Sequence, residues 1–378
     1  MTDVKVLKSL AEINEIATEW TELHTAANGS PFSHVGWQQA WLKVYLEPDV
    51  TPVVITVWNA GQLVAVAPFA IRRAPIGKFK RFRPAHLTML APDRTGFHDL
   101  LARPGFEDAF RAVFKAAANL EGVAYFDLTP MQDNPALGVF CDAARTAGAW
   151  VHSRDEITTS IADLSGDWDD YLARRGASMR KGIRRNQKKL AQDAFEFRVV
   201  ETLDDDGLED MFSISERSWK AIGGTDIGSD DTHRRFIEEL FATFGPSGAM
   251  SCLVLYHEGV AVSSCLDLFA TGTAYGLISD YDDSYAKMGV GRLVHEEASR
   301  LNQQRGITTY DFLRATHFTR SYGDRDTSYQ RIRISTRPGL TRMLAQAERR
   351  LAALQRAYGL RRKKGTGRRF ILGERPKD

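Results

Sequence analysis

TAYGLISDYDDSYAKMGVGRLVHEEASRLNQQRGITTYDFLR, residues 273–314, switches periodicity twice and sets the reading of the chain around it. TAYGLIS is an apolar run of strand length that ends at Asp280 in a polar loop. Gly289 and Gly291 then open a helix expected over about 290–305, and TTYDFLR returns to strand character. Glycine lets the backbone approach an anion closely, and a helix N-terminus favours negative charge. Gly289, Val290 and Gly291 would thus meet a phosphate through their N–H groups, with Lys287 and Arg292 beside them. A helix merely entered through small residues reads the same letters differently. A dinucleotide fingerprint is excluded, because the third glycine of G-x-G-x-x-G is missing.

Outward from this stretch the signals alternate. MSCLVLYHEG and VAVSSCLDLFA precede it as strands, with His257-Glu258-Gly259 and Thr271-Gly272 as their turns. Helices are expected over 168–190, 204–222 and 232–244, with EFRVVE as a strand between the first two; a polar loop and the strand SYQRIRIS follow Arg314. The first half repeats the rhythm more weakly. It reads as an amphipathic helix over 8–27, a second helix capped by Ser33 that carries Trp37, Trp41 and Tyr45, and the hairpin PVVITVW/GQLVAVAPFAI. Helices at 106–120 and 135–147 flank the strand VAYFDL. At 378 residues the chain is long for one core. The expectation is an α/β protein of mixed sheets flanked by helices: a domain over 1–160, a second over 161–338 that includes the basic bridging helix 168–190, and a helix with a basic tail over 339–378.

Fifty Lys and Arg stand against forty-eight Asp and Glu, a formal net charge of +2, which argues against a general nucleic-acid coat. The three cysteines, Cys141, Cys252 and Cys265, are too few and scattered for a disulfide framework or a structural zinc site and read as buried thiols. No His/Cys/Asp/Glu spacing suggests a metal. MTDVKVLKSLAEINEIATEW lacks the organisation of an export signal, and no run approaches 18 apolar residues, so a cytoplasmic protein is expected, at most peripheral to the inner membrane face.

Three constellations could carry chemistry beyond the glycines. Asp311 lies inside an apolar strand, where an unpaired carboxylate is costly, so it is either half of a structural ion pair or a substrate-orienting group. His317, in the polar loop beyond, is a candidate general base, and Asp267 poses the same question as Asp311 in another strand. Lys181, Arg184, Arg185 and Lys188 form one stripe at helical spacing, with Arg180 at its edge. Such a stripe is either a solvated face or a surface for a phosphate-rich ligand or a phospholipid. In the tail, Arg361, Arg362, Arg368 and Arg369 pose the same choice.

Over about residues 30–335 the chain resembles the CelD-like group of the GNAT superfamily, relatives of the Fem peptidoglycan aminoacyltransferases with two GNAT-like domains in tandem. The resemblance is carried by the aromatic segment Phe32–Trp41, the basic helix Tyr171–Leu190 and, most specifically, the run Tyr275–Arg314. It implies tandem GNAT-like (acyl-CoA N-acyltransferase) domains that move an acyl group from acetyl-CoA or another acyl-CoA to an amine, with no metal. The implied acceptor is an amine-bearing sugar or glycolipid of an envelope polysaccharide, as in holdfast or exopolysaccharide synthesis. Asp311, His317 and Asp280 would be catalytic; Arg314, Arg320, Trp37 and Tyr285 would bind the acceptor; Lys287 and Gly289 to Arg292 would bind the donor. The family's basic or amide residue three before the first glycine is Ala286 here, and its Tyr-Lys pair is Thr319-Arg320. These departures keep two alternatives open: a catalytically weak binding protein that senses an anion such as a cyclic dinucleotide and regulates polysaccharide-synthesis proteins, and a Fem-like enzyme using aminoacyl-tRNA.

Overall fold

The computed structural model of the chain describes residues 2–75, 83–91, 96–192 and 194–335, with positions 339, 346 and 350. The expected C-terminal basic tail, with Arg361, Arg362, Arg368 and Arg369, lies outside the described residues. The chain divides into two compact units: Met1–Glu156 joined by the segment from Tyr329, and Ile157–Ser328.

The first unit begins with β1 (Thr2–Leu7), then α1 (Leu10–Glu15), α2 (Ala17–Ala26) and α3 (Val35–Tyr45). The single helix expected over 8–27 is broken at Ile16, which caps the end of α1 and the start of α2. The expected cap of the next helix also moves. Ser33 ends a 3-10 turn, its hydroxyl donating to Asp99 (3.0 Å), and His34 Nδ1 caps α3 by accepting from Gly36 N (3.0 Å). The hairpin β2 (Thr51–Asn59) and β3 (Gln62–Arg73) leads to β4 (Ala85–Met89), a two-residue β5 (Leu101–Ala102), α4 (Ala109–Ala118), β6 (Tyr125–Met131) and α5 (Pro135–Thr146). Phe110, Val113, Phe114 and Ala117 recur at helical spacing, so α4 buries one apolar stripe. Phe140 of α5 lies 5.6 Å from the Phe114 ring and 5.9 Å from that of Phe69 on β3, making an aromatic centre for this core.

Strand β7 (Trp150–Asp163) leads into the second unit. The basic helix expected over 168–190 is two helices, α6 (Trp168–Ala173) and α7 (Ala177–Gln192), parted around Gly176. The helix expected over 204–222 likewise parts into α8 (Gly207–Glu216) and α9 (Trp219–Ile222), because Ser218 takes extended backbone and caps α9. Strand β8 (Phe195–Val200) precedes α8, and α10 (Asp231–Phe244) follows α9. The meander β9 (Met250–His257), β10 (Val260–Ala270) and β11 (Thr273–Tyr281) comes next, then α11 (Val290–Gln304), β12 (Thr309–Asp311), α12 (His317–Tyr322) and β13 (Arg325–Ser335). The expected polar loop after Arg314 thus contains a helix.

Each unit repeats one plan. In the first, β2, β3 and β4 pair antiparallel and β6 then joins β4 in parallel; in the second, β9, β10 and β11 pair antiparallel and β12 joins β11 in parallel. A parallel pair needs a crossover, supplied by α4 and by α11 respectively. An antiparallel strand then flanks each crossover strand, but neither comes from next along the chain. Residues 161–163 of β7 pair with β12, and residues 330–334 of β13 pair with β6. The boundary expected at 338 therefore moves, since Tyr329–Ser335 completes the sheet of the first unit.

Phe140→Ala removes the ring that joins β3, α4 and β6 in the first core, and should lower unfolding free energy by about 3–5 kcal/mol. A denaturant midpoint unchanged within error would show that this core does not depend on it.

Candidate functional site

Strands β11 and β12 stay together only briefly. Thr273, Ala274 and Tyr275 register with Thr309, Tyr310 and Asp311, and there β12 ends. Its end is built in: the Asp311 carboxylate accepts from Leu313 N (2.7 Å) and from Thr159 Oγ1, and Leu313 takes a φ of 55°, which turns the chain away. Gly276 supports the same geometry, since a Cβ there would stand 3.2 Å from the Tyr310 ring. Strand β11 runs on to Tyr281, so its last residues face an opening where β12 has left.

The mouth of this opening is polar and buried. Lys220 of α9 donates to Ser279 O (3.1 Å) and pairs with Asp280 Oδ1 at 2.5 Å, the two side chains 8% and 2% exposed. Ser215 of α8 donates to Asp280 Oδ2 (2.8 Å) and accepts from Ile227 N (3.1 Å). On α11 stand His295 and Glu296, both buried. The His295 ring lies 5.0 Å from Phe318 and 6.1 Å from Phe312, the residue after β12; burial first, and then the Lys220 charge, push it down to about 4, so it is neutral. Glu296 accepts from Asn186 Nδ2 of α7 (3.0 and 3.2 Å) and from Tyr322 Oη of α12 (3.1 Å); burial outweighs these bonds and pushes its carboxyl up to about 7.

The loop between β11 and α11 lies beside the same opening. Asp282 caps its 3-10 turn through Ser284 N (2.9 Å) and pairs with Arg217 (2.6 Å). Gly289 adopts a φ of 74° as the N-cap of α11, and no side chain caps that helix. A Cβ on Gly289 would meet nothing within 4 Å, whereas one on Gly291 would press on the Tyr281 ring at 3.0 Å. Lys287 and Arg292 are exposed, the Arg292 guanidinium 5.4 Å from the Phe318 ring. Lys189 Nζ donates to Met288 O (2.7 Å), tying α7 to this loop.

The expected residues fall unevenly on this geometry. Asp280 lies at the opening, and Lys287 with Gly289 to Arg292 forms the helix entrance beside it. Asp311 shapes the end of β12, its carboxylate engaged with the turn. His317 is exposed on the first turn of α12, Arg314 is half-buried, and Arg320 is exposed and paired with Asp326 (2.8 Å). Trp37 corrects the acceptor set: it is fully buried in the first unit, edge-on to Phe32 at 5.0 Å, and offers no face to a sugar. Tyr285 is half-buried, 5.9 Å from the His257 ring. Lys181, Arg184, Arg185 and Lys188 are exposed, with Ile183 and Asn186 buried on the other face of α7, and none of the four makes an ion pair among the described residues. Arg180 instead turns to Arg175 O (2.6 Å). Asp267 is buried, accepting from Asn302 Nδ2 (2.8 Å) and Tyr310 Oη (2.7 Å), and burial pushes it up to about 6. All three cysteines are buried and unpaired. Among the described residues there is no metal-ligating cluster and no helix long and apolar enough to cross a membrane.

Lys220, Ser215, His295, Glu296 and Asn186 escaped the sequence reading. Their one signal was polar letters on the inward face of amphipathic helices, which is weak until a partner is known.

The family model described as an acetyltransferase (GNAT) domain matches residues 177–331. No curated protein matches the chain by sequence. Among solved structures, a crystal structure of FemX superposes with a TM-score of 0.60 at 11% identity, covering 87% of this chain and 96% of that one. The L-PGS structure from Bacillus licheniformis gives 0.54 at 11% identity, covering 91% and 96%. The C-terminal domain of a putative lysylphosphatidylglycerol synthetase from Agrobacterium fabrum gives 0.53 at 12%, covering 92% and 96%. At such identities the likeness is one of fold: an α/β GNAT-like fold, its two units consistent with tandem GNAT domains.

The Glu296 carboxyl tests the electrostatics of this cluster. Its folded pKa, about 7, stands above the ordinary 4.5, so the folded state holds the proton more tightly than the unfolded chain. The stability this contributes is fully present below about pH 4.5 and is lost as pH rises through 7. Glu296→Gln should therefore become progressively more stable relative to the parent protein across that window, by roughly 2–4 kcal/mol at its upper end. Parallel stability curves for the two proteins from pH 4 to 8 would show that Glu296 does not titrate this way.

Proposed function

We propose that the second unit is an N-acyltransferase that moves an acyl group from an acyl-CoA thioester to an amine, and that the acceptor is an amino sugar of an envelope polysaccharide or its lipid-linked precursor. The observation that carries this reading is the early end of β12 beside a β11 that leads into an uncapped helix. One end of a long donor fits at the helix and the other in the opening. The residues present suit that donor: no side chain caps the start of α11, space is open where a Gly289 side chain would stand although the Gly289 N–H itself donates to Ala286 O (3.1 Å), and Lys287 and Arg292 supply cationic side chains for a pyrophosphate. The unpaired edge of β11 offers backbone groups to the extended arm that carries the thioester.

The chemistry asks little of the protein. The amine attacks the thioester carbonyl, a C–N bond forms, and the C–S bond breaks as the thiol leaves. Buried donors near a developing oxyanion act more strongly than in water, and Lys220 is such a group at the end of β11. The amino-sugar acceptor follows from the CelD-like resemblance. The uncompensated stripe on α7, joined to the donor loop through Lys189, supports an acceptor or donor rich in phosphate.

Thiol release from acetyl-CoA with glucosamine as acceptor tests the reading directly, with calorimetric acetyl-CoA binding beside it. Lys287→Ala combined with Arg292→Ala should weaken acetyl-CoA binding about tenfold or more, since each lost charge-assisted bond removes about 1.5–3 kcal/mol. An unchanged Kd in the folded double variant would place the donor elsewhere.

A further inference from the structure

Around the β11–β12 opening nearly every ionisable group is committed. Asp280 is held by Lys220 and Ser215, Asp311 by Thr159 and Leu313 N, and Glu296 by Asn186 and Tyr322. His295 differs. It is 7% exposed, yet its Nδ1 has no hydrogen-bond partner among the described residues. A buried polar atom left without a partner costs about 1–3 kcal/mol, and a catalytic role is one of the reasons a protein retains such an atom.

Its surroundings locate it. Phe312 and Phe318 wall the ring on one side, and Tyr322 lies 6.3 Å away. Lys220, which is anchored to Ser279 O at the end of β11, is near enough for its charge to act on the imidazole. A side chain from α9 and one from α11 thus approach each other where β12 has withdrawn.

We propose that His295 Nδ1 is the atom that receives the proton of the attacking amine, which rests on the acyl-transfer reading above. With its proton on Nε2, the neutral ring presents a lone pair to an amine N–H and so aims the amine's own lone pair. As the C–N bond forms, the carbonyl π pair moves to oxygen and one N–H proton passes to Nδ1. The oxyanion then collapses, the C–S bond breaks with its electron pair on sulfur, and the imidazolium returns the proton to that thiolate. The products are an amide and a free thiol, with His295 neutral again. Burial and Lys220 disfavour a lasting charge on the ring, which suits transient protonation, because the nitrogen becomes strongly acidic once bonded to carbon and the neighbouring oxyanion favours the imidazolium.

The charge that acts on His295 is that of Lys220 on α9, itself paired with Asp280 on β11; the titratable neighbour on α11, Glu296, is held by Tyr322 on α12 and lies in the field of Arg292 on α11 and Arg185 on α7. The test uses the full chain with acetyl-CoA and glucosamine, following thiol release from pH 5.5 to 9 in the parent protein, His295→Gln and His295→Ala. The expected result is a fall in kcat of about 100-fold or more in both variants, with acetyl-CoA KM within about twofold of the parent and melting temperatures preserved. His295→Gln should show a rate still climbing with hydroxide where the parent levels off, and added imidazole should restore part of the His295→Ala rate. If the parent transfers and His295→Gln keeps more than a third of its kcat with the same pH profile, the His295 assignment is overturned while the acyl-transfer reading stands. Should the parent bind acetyl-CoA but not acylate glucosamine, slow hydrolysis of the thioester is compared in the same way, and equal hydrolysis or none overturns the assignment. A parent protein that does not bind acetyl-CoA sinks the acyl-transfer reading and this inference with it.

Discussion

Asp311 closes a turn on itself, and much of the second unit follows from that closure. By accepting from Leu313 N and Thr159, its carboxylate ends β12 after three residues and sends the chain into α12. A strand that stops leaves its neighbour with unpaired backbone groups, and those groups need partners. Lys220 supplies one at Ser279 O, and its ammonium then requires the Asp280 carboxylate. Asp280 in turn orders Ser215, which accepts the N–H of Ile227. One backbone turn thus recruits a chain of buried polar side chains from three other elements.

That chain is expensive to bury and so constrains what surrounds it. A buried ion pair is seldom a net source of stability, but breaking one is strongly unfavourable, so Lys220 and Asp280 hold each other in place. Burial, and after it the same cation, keeps the nearby imidazole neutral, while burial lets Glu296, the next residue of α11 and held by α7 and α12, keep its proton to about neutral pH. Neighbouring residues of one helix therefore carry opposite tendencies, one refusing a proton and the other retaining it.

The strands β9, β10 and β11, their turns and the helix after Gly289 were legible because alternation, glycine turns and a helical period coincide there. The entrance to α11 was legible for the same reason. What escaped is instructive. TTYDFLR keeps strand character to its end, so nothing in its letters announces that pairing ends at Asp311; the turn depends on Leu313 taking a left-handed backbone. The breaks at Gly176 and Ser218 sit inside patterns that look continuous, because helical periodicity survives a short interruption. Lys220 and His295 read as ordinary members of amphipathic helices, since the opening they face comes from a strand far along the chain. The acceptor role of Trp37 came with the family resemblance, whereas its place among helical aromatics points to the core, and burial decides for the core. That Tyr329–Ser335 belongs with the first unit could not be read from the letters, because the partner of β13 lies some 200 residues earlier.

That last pairing has a consequence for how the protein is made. Residues 330–334 close the sheet of the first unit along β6, yet they are synthesised after the whole second unit. At about 5–20 residues per second, β6 waits roughly 10–40 seconds on the ribosome with one edge bare. An open strand edge is a template for pairing with other chains. The first half of this molecule is therefore unfinished for as long as the second half takes to emerge, and a single cut between them would leave the first piece without the strand that closes its sheet.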